Sequence, residues 1–149
     1  MKIYIGADHN GFDFKHELSE VLRAAGHEVV DEGDAQRQPE DDFPQFASRV
    51  VTALRADSDP TAVGILICGS GQGMCMAANR YKGIRASLCS TVEEAHASRN
   101  DDDANVLCLP SRSIDLKTAE SVTYAWLSTP FAKAPRFVRR IKELDELGD

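Results

Sequence analysis

Gly64-Ile65-Leu66-Ile67-Cys68-Gly69-Ser70-Gly71-Gln72-Gly73 is the stretch that decides the fold. Val63 to Ile67 is a short apolar run rich in β-branched residues, the composition of a strand buried on both faces of a parallel sheet. Three glycines in alternation then end the strand and permit backbone angles that other residues avoid, so that N–H groups can approach a ligand closely. Met74 to Asn79 reads as the opening of a helix, and strand, glycine turn and helix N-terminus together make an anion cradle. Cys68 stands where the strand stops, beside amides that favour a thiolate. Taken alone, a cysteine at the end of a buried strand is more often a small hydrophobe than a reagent. Two familiar phosphate motifs are absent. No Lys-Ser or Lys-Thr follows the glycines, and Gly69, Gly71 and Gly73 are spaced two and two, where a dinucleotide fingerprint needs two and three.

Working outward, strands and helices alternate along the whole chain. Lys2 to Ala7 predicts a first buried strand, closed by the polar turn Asp8-His9-Asn10-Gly11. Leu18, Val21, Leu22 and Ala25 share one face of a helix from Phe12 to Ala25, which Gly26 stops. His27 to Asp31 is a second strand, and Glu32 to Asp41 a polar loop. Phe46, Ala47, Val50, Val51 and Leu54 carry a helix that Pro44 can start. After the central strand, Ile84 to Leu88 predicts a fourth strand, and Ser90 to Glu94 offers overlapping capping boxes for a helix through Ser98. Asn105 to Leu109 is a fifth strand. Ser111 or Ser113 starts a helix through Trp126, ended by Pro130, and a last helix from about Pro135 has Ile141, Leu144 and Leu147 on its apolar side.

This alternation predicts a parallel sheet covered on both faces by right-handed crossovers, in one domain spanning residues 1–149. Ligands bind such sheets at the carboxyl ends of the strands. That rule gathers Asp8-His9, Cys68 to Gly73 and Pro110 to Arg112 on one edge. A net charge of −7 over 149 residues argues against a nucleic-acid surface. No apolar run reaches membrane-spanning length, and the N-terminus is a strand without signal-peptide architecture, so the expected place is the cytoplasm. Cysteines 68, 75, 89 and 108 lack metal-site spacing and predict reduced thiols.

Against this background the chain resembles the ribose/galactose isomerase family, in particular its ribose-5-phosphate isomerase type B group. The matching pieces are Gly6-Ala7-Asp8-His9, Asp42-Phe43-Pro44, Gly64 to Gly71, Ala77-Ala78-Asn79-Arg80, Gly83-Ile84-Arg85-Ala86, Ser98-Arg99, Asn105-Val106-Leu107, Ser111-Arg112, and Pro130-Phe131 through Arg140. They cover nearly the whole chain in the order and at the separations of the family. The resemblance implies an α/β, three-layer α/β/α Rossmann-like fold with a five-stranded parallel sheet of order 2-1-3-5-4. It also implies a homodimer or tetramer with shared active sites, a C-terminal helix (about 135–147) packed on the partner subunit, and no metal or other cofactor.

The implied reaction interconverts a phosphorylated aldose and ketose through an enediolate, which needs a base beside the carbonyl and donors for the oxyanion. Cys68 would be the base, with Ser70 and the amides of Gly69, Gly71, Gln72 and Gly73 holding the oxyanion and sugar hydroxyls. Some relatives use a Glu further along the loop, where this chain has Met74. Asp8 and Arg112 would bind the sugar, and His9, Arg136 and Arg140 the phosphate. The two arginines are one helical turn apart and share a face, where a solvated basic surface is the plain alternative. Asp8 and His9 would otherwise be a helix cap and a turn histidine.

One departure matters. Relatives carry a ring-opening His followed by a substrate-binding Asn, and here Asp101 and Asp102 occupy those positions. A carboxylate is a poor acid near pH 7 unless burial or a like charge raises its pKa. Phe43 likewise replaces a frequent Tyr. The expected substrate pair is ribose 5-phosphate and ribulose 5-phosphate. The alternatives are a six-carbon phosphate such as allose or galactose 6-phosphate, a non-catalytic sugar-phosphate binder in which Asp101 to Asp103 is only a solvated acidic turn, and a nucleotide-binding regulatory domain.

Overall fold

The computed structural model describes residues 1–148. Its strands are β1 (Lys2–Ala7), β2 (Glu28–Asp31), β3 (Val63–Cys68), β4 (Ala86–Leu88) and β5 (Val106–Pro110). Its helices are α1 (Phe12–Ala24), α2 (Phe43–Ala56), α3 (Gln72–Ala78), α4 (Val92–Asn100), α5 (Leu116–Ser128) and α6 (Pro135–Asp145). All pairings are parallel and the strand order is β2-β1-β3-β5-β4, as expected.

Every residue of β3 is buried, because alternate side chains enter two different cores. Ile65 and Ile67 join Ile3, Ile5, Leu107 and Leu109 on the face covered by α1, α4 and α5, where Leu18, Leu22, Ala95, Val122 and Trp126 close the layer. Leu66 and Cys68 point to the other face with Tyr4, Val106 and Cys108, beneath Phe46, Val50 and Val51 of α2 and Met74 and Ala78 of α3. Both layers are continuous apolar contacts, so truncating one of these aliphatic side chains to Ala costs about 2–5 kcal/mol.

Three local expectations need correction. β4 starts at Ala86 and not at Ile84, because Arg85 is already held by its amide to the Asn105 side chain at 2.8 Å. α5 is capped by Asp115, whose Oδ1 accepts from the Thr118 amide at 2.8 Å, and not by Ser111 or Ser113. Ser111 instead donates its hydroxyl to the Asn10 carbonyl at 2.7 Å and ties β1 to β5. Finally, α6 ends at Asp145 and buries only Phe137, leaving Val138, Leu144 and Leu147 exposed.

Candidate active site

β1, β3 and β5 end side by side, with Ala7 paired to Ile67 and Cys68 to Pro110. Asp8 therefore lies next to Cys68, its amide donating to the Ile67 carbonyl at 3.3 Å. Its side chain is buried, and Oδ1 accepts from the amides of Asn10 (2.9 Å) and Gly11 (3.2 Å). Burial pushes the Asp8 carboxyl above its ordinary value, while those two amides pull it part of the way back.

Cys68 is 5% exposed. Its sulfur accepts the Gly71 amide at 3.1 Å, a contact that a thiolate strengthens. Gly71 reaches it by adopting φ +73°, in the left-handed region that favours glycine. Ser70 is exposed and its Oγ accepts the Gln72 amide at 3.3 Å. Two amides of the glycine turn, those of Gly71 and Gln72, are thus engaged within the loop. At Gly73 a Cβ would lie 2.7 Å from the Phe43 ring, which covers the turn from the start of α2. Met74 is wholly buried among apolar side chains.

Arg112 completes the edge. Its amide donates to the Gly69 carbonyl at 2.9 Å, and its Nη2 donates to Asn10 Oδ1 at 3.0 Å. His9 is held by Asp41, with Nδ1 2.7 Å and the backbone amide 3.0 Å from Asp41 Oδ1. Asp8, His9 and Asp41 offer ligand atoms within 4.8 Å of one another and are the residues that could hold a cation. Asp41 and Asn10 had no role in the sequence reading, because their partners His9 and Arg112 lie far along the chain.

The second group lies elsewhere. Asp101 closes α4 through its amide to the Ala97 carbonyl, and its Oδ1 accepts from the Asn100 side chain at 2.7 Å. Asp102 has its carboxyl pushed up by desolvation and then by neighbouring Asp101, against the pull of Arg140 and Arg85. Arg85 donates to the Asp102 and Asp103 carbonyls, both at 3.1 Å, and reaches Asp145 at 3.3 Å, tying α6 to this segment. Arg136 and Arg140 are exposed, Arg136 lying 4.5 Å over the Phe137 ring. Asp101, Asp102, Arg136 and Arg140 thus lie toward the amino edge of the sheet, the level at which β4 and β5 begin. Gly64 pairs with Val106, and four residues of β3, about 13 Å, separate that level from Cys68. The structure thus brings together Asp8, His9, Cys68, Ser70, Gly69, Gly71, Gln72, Gly73 and Arg112, and leaves Asp101, Asp102, Arg136 and Arg140 on the opposite side.

Among thiols, all four cysteines are free. A hydrogen bond from Cys108 brings the half-buried Cys75 thiol down to about 7.

The architecture and this edge define a class: a Rossmann-like sheet carrying a cysteine, a carboxylate and basic groups where its parallel strands end. A family model for Ribose/Galactose Isomerase matches residues 3–144, and the chain belongs to that family. It is 42% identical over 130 residues to ribose-5-phosphate isomerase B of Escherichia coli K12, covering 87% of this chain and 85% of that one. It is 36% identical to the Mycobacterium tuberculosis H37Rv protein of the same name, over 98% and 89% of the two chains. Among solved structures, ribose 5-phosphate isomerase B of Thermotoga maritima superposes with a TM-score of 0.92 at 40% identity, covering 98% of both chains. The Mycoplasma genitalium enzyme, solved with bound ribulose-5-phosphate, gives 0.92 at 38% identity, over 97% and 93%.

Proposed function

We propose that this protein is an aldose–ketose isomerase that interconverts ribose 5-phosphate and ribulose 5-phosphate. The observation that carries the reading is the Cys68 sulfur, set under the Gly71 amide at the end of β3, next to the end of β1 that carries the buried Asp8. As base, the Cys68 thiolate takes the proton from C2 of the open-chain aldose, and the electron pair moves onto the carbonyl oxygen to give the enediolate. A proton then passes from the C2 hydroxyl to O1, and the thiol returns its own proton to C1, yielding the ketose. The Ser70 and Gly73 amides and the Ser70 hydroxyl face the developing oxyanion. Asp8 and Arg112 hold sugar hydroxyls, and His9, Arg136 and Arg140 hold the phosphate.

Since Arg136, Arg140, Asp101 and Asp102 sit at the far edge of their own sheet, they serve the Cys68 of a second copy. The working unit in this reading is a homodimer, or a tetramer of dimers, of one-domain chains of residues 1–149, with the C-terminal helix (135–147) packed on the partner. The exposed Val138, Leu144 and Leu147 supply the apolar surface for that contact. Asp101 takes the ring-opening role and Asp102 the neighbouring substrate contact, where desolvation and then Asp101 raise the Asp102 carboxyl. Among the described residues no helix is long and apolar enough to cross a membrane, and we place the enzyme in the cytoplasm.

The test is NMR of the purified protein with ribose 5-phosphate in D2O, following ketose formation and deuterium entry at C2. Turnover with exchange is expected in the native protein, and neither in Cys68→Ala. Turnover retained in that variant would remove Cys68 as the base. Exchange only with a six-carbon phosphate would move the substrate, and silence with every sugar phosphate would leave a binder.

A further inference from the structure

The hydrogen bonds around His9 have a direction. A guanidinium only donates, so the 3.0 Å contact from Arg112 Nη2 requires Asn10 to present its Oδ1 there. The Asn10 amide is thereby oriented, and its Nδ2, also a donor only, faces His9 Nε2 at 3.2 Å. Nε2 must therefore accept and carries no proton. The ring proton resides on Nδ1 and is donated to Asp41 Oδ1 at 2.7 Å. That same oxygen accepts the His9 backbone amide at 3.0 Å, so two donors converge on one carboxylate oxygen. The Asp41 side chain is 10% exposed and that of His9 31%: the anchor is enclosed while the ring it holds is open to a ligand.

We propose that Asp41 is a positioning residue for the reaction: with the Arg112–Asn10 arm it fixes the orientation of the His9 ring and its Nδ1–H tautomer, so that Nε2 is an acceptor that a substrate donor takes over from the Asn10 amide. The other tautomer would set Nε2–H against the Asn10 amide protons and the Nδ1 lone pair against a carboxylate, two repulsive contacts replacing two attractive ones. A hydroxyl of the sugar, or the protonated oxygen of a phosphate monoanion, is the group that such an Nε2 recognises. A ring already held at both nitrogens also loses little freedom when the ligand arrives, which lowers the cost of binding. Asp41 comes from the segment just ahead of α2, whose next-but-one residue Phe43 covers Gly73. Holding His9 and covering the glycine turn are therefore tasks of one short piece of chain.

The substrate half of this inference rests on the isomerase reading above; the tautomer does not. Long-range 1H–15N spectra of the unliganded, 15N-histidine-labelled protein at pH 8 report which ring nitrogen is protonated, with the His9 signals identified by their loss in His9→Gln. His9 is expected as Nδ1–H in the native protein and as a mixture of tautomers in Asp41→Ala. That variant should raise KM for ribose 5-phosphate about tenfold with kcat changed less than about threefold, the size of one lost hydrogen bond. Asp41→Asn keeps an acceptor oxygen in place and should restore both the tautomer and most of KM, which a purely structural role would not demand. An unchanged tautomer in Asp41→Ala, or a changed tautomer with unchanged KM, would overturn the proposal. If the native protein turns over no ribose 5-phosphate, that result falls on the isomerase reading, and the spectra still decide whether Asp41 sets His9.

Discussion

Replacing Gly71 by Ala tests the geometry that puts an amide on the Cys68 sulfur. Gly71 has φ +73°, and a Cβ there would run into Leu88 Cδ1 and lie 3.3 Å from the backbone of Leu109 and Pro110. A left-handed residue other than glycine costs about 1–2 kcal/mol. Forcing Leu88 aside adds about 1–3 kcal/mol of overpacking, because the backbone of β5 behind it cannot move. The reduced freedom of the unfolded chain returns only about 0.5–1 kcal/mol. The balance is a loss of about 1–4 kcal/mol, or some 3–15 °C in Tm for a chain of this size. Gly73→Ala is the control. Gly73 lies inside α3 without a positive φ, and its Cβ meets only the Phe43 ring, 37% exposed and able to swing outward. Helix propensity offsets the disturbance, so its melting point should stay within about 3 °C of the native value. Calorimetric or circular-dichroism melts of both variants, with kcat for ribose 5-phosphate alongside, decide the matter. Gly71→Ala should also lose at least about tenfold in kcat, since the amide leaves the sulfur. A Gly71→Ala protein melting within 2 °C of native, or the reverse order of the two variants, would refute the reasoning about the turn.

Two further outcomes are expected. Arg140→Ala should lower kcat/KM for ribose 5-phosphate about 10- to 100-fold, the worth of a hydrogen bond to a charged group, while leaving turnover of unphosphorylated ribose within about threefold; equal losses on both sugars would argue against a phosphate contact. Asp8→Asn should be at least as stable as native at pH 7. Burial raises the native carboxyl, so its charge penalises the fold above the raised value, and that penalty disappears as the pH falls toward the unfolded value of about 3.9. The advantage of Asp8→Asn in urea unfolding should therefore shrink between pH 7 and 4, while its activity falls about 10- to 100-fold at pH 7; a variant markedly less stable than native at pH 7 would contradict the direction of the shift.

The parts of the fold that could be read from the chain are those where one local pattern has one structural outcome. β3 is apolar at every position, which only a strand with cores on both faces requires, and the glycines after it announce the turn. Knowing that parallel strands end at a ligand-binding edge then converts sequence positions into neighbours, which is why Asp8, Cys68 and Arg112 could be grouped beforehand. Asp41 and Asn10 could not be. Their partners lie 32 and 102 positions away, and nothing in a short polar loop says which carboxylate will meet which ring. The start of α5 misled for a related reason: Ser111 and Ser113 are good caps, but the Ser111 hydroxyl was claimed by the β1 turn. α6 is the clearest case. The spacing of Arg136 and Arg140 is evident in the sequence, whereas the edge of the sheet they occupy depends on the connection after α5, where the Ala132 amide donates to the Asn100 carbonyl and Arg85 binds Asp145. Those contacts hold α6 at the level where β5 begins, about 13 Å along β3 from Cys68. In the proposed shared-site dimer an arginine of α6 and the cysteine of β3 touch one sugar phosphate from different copies of the chain, so loss of the Arg140 effect on dilution to monomer and loss of activity itself should coincide.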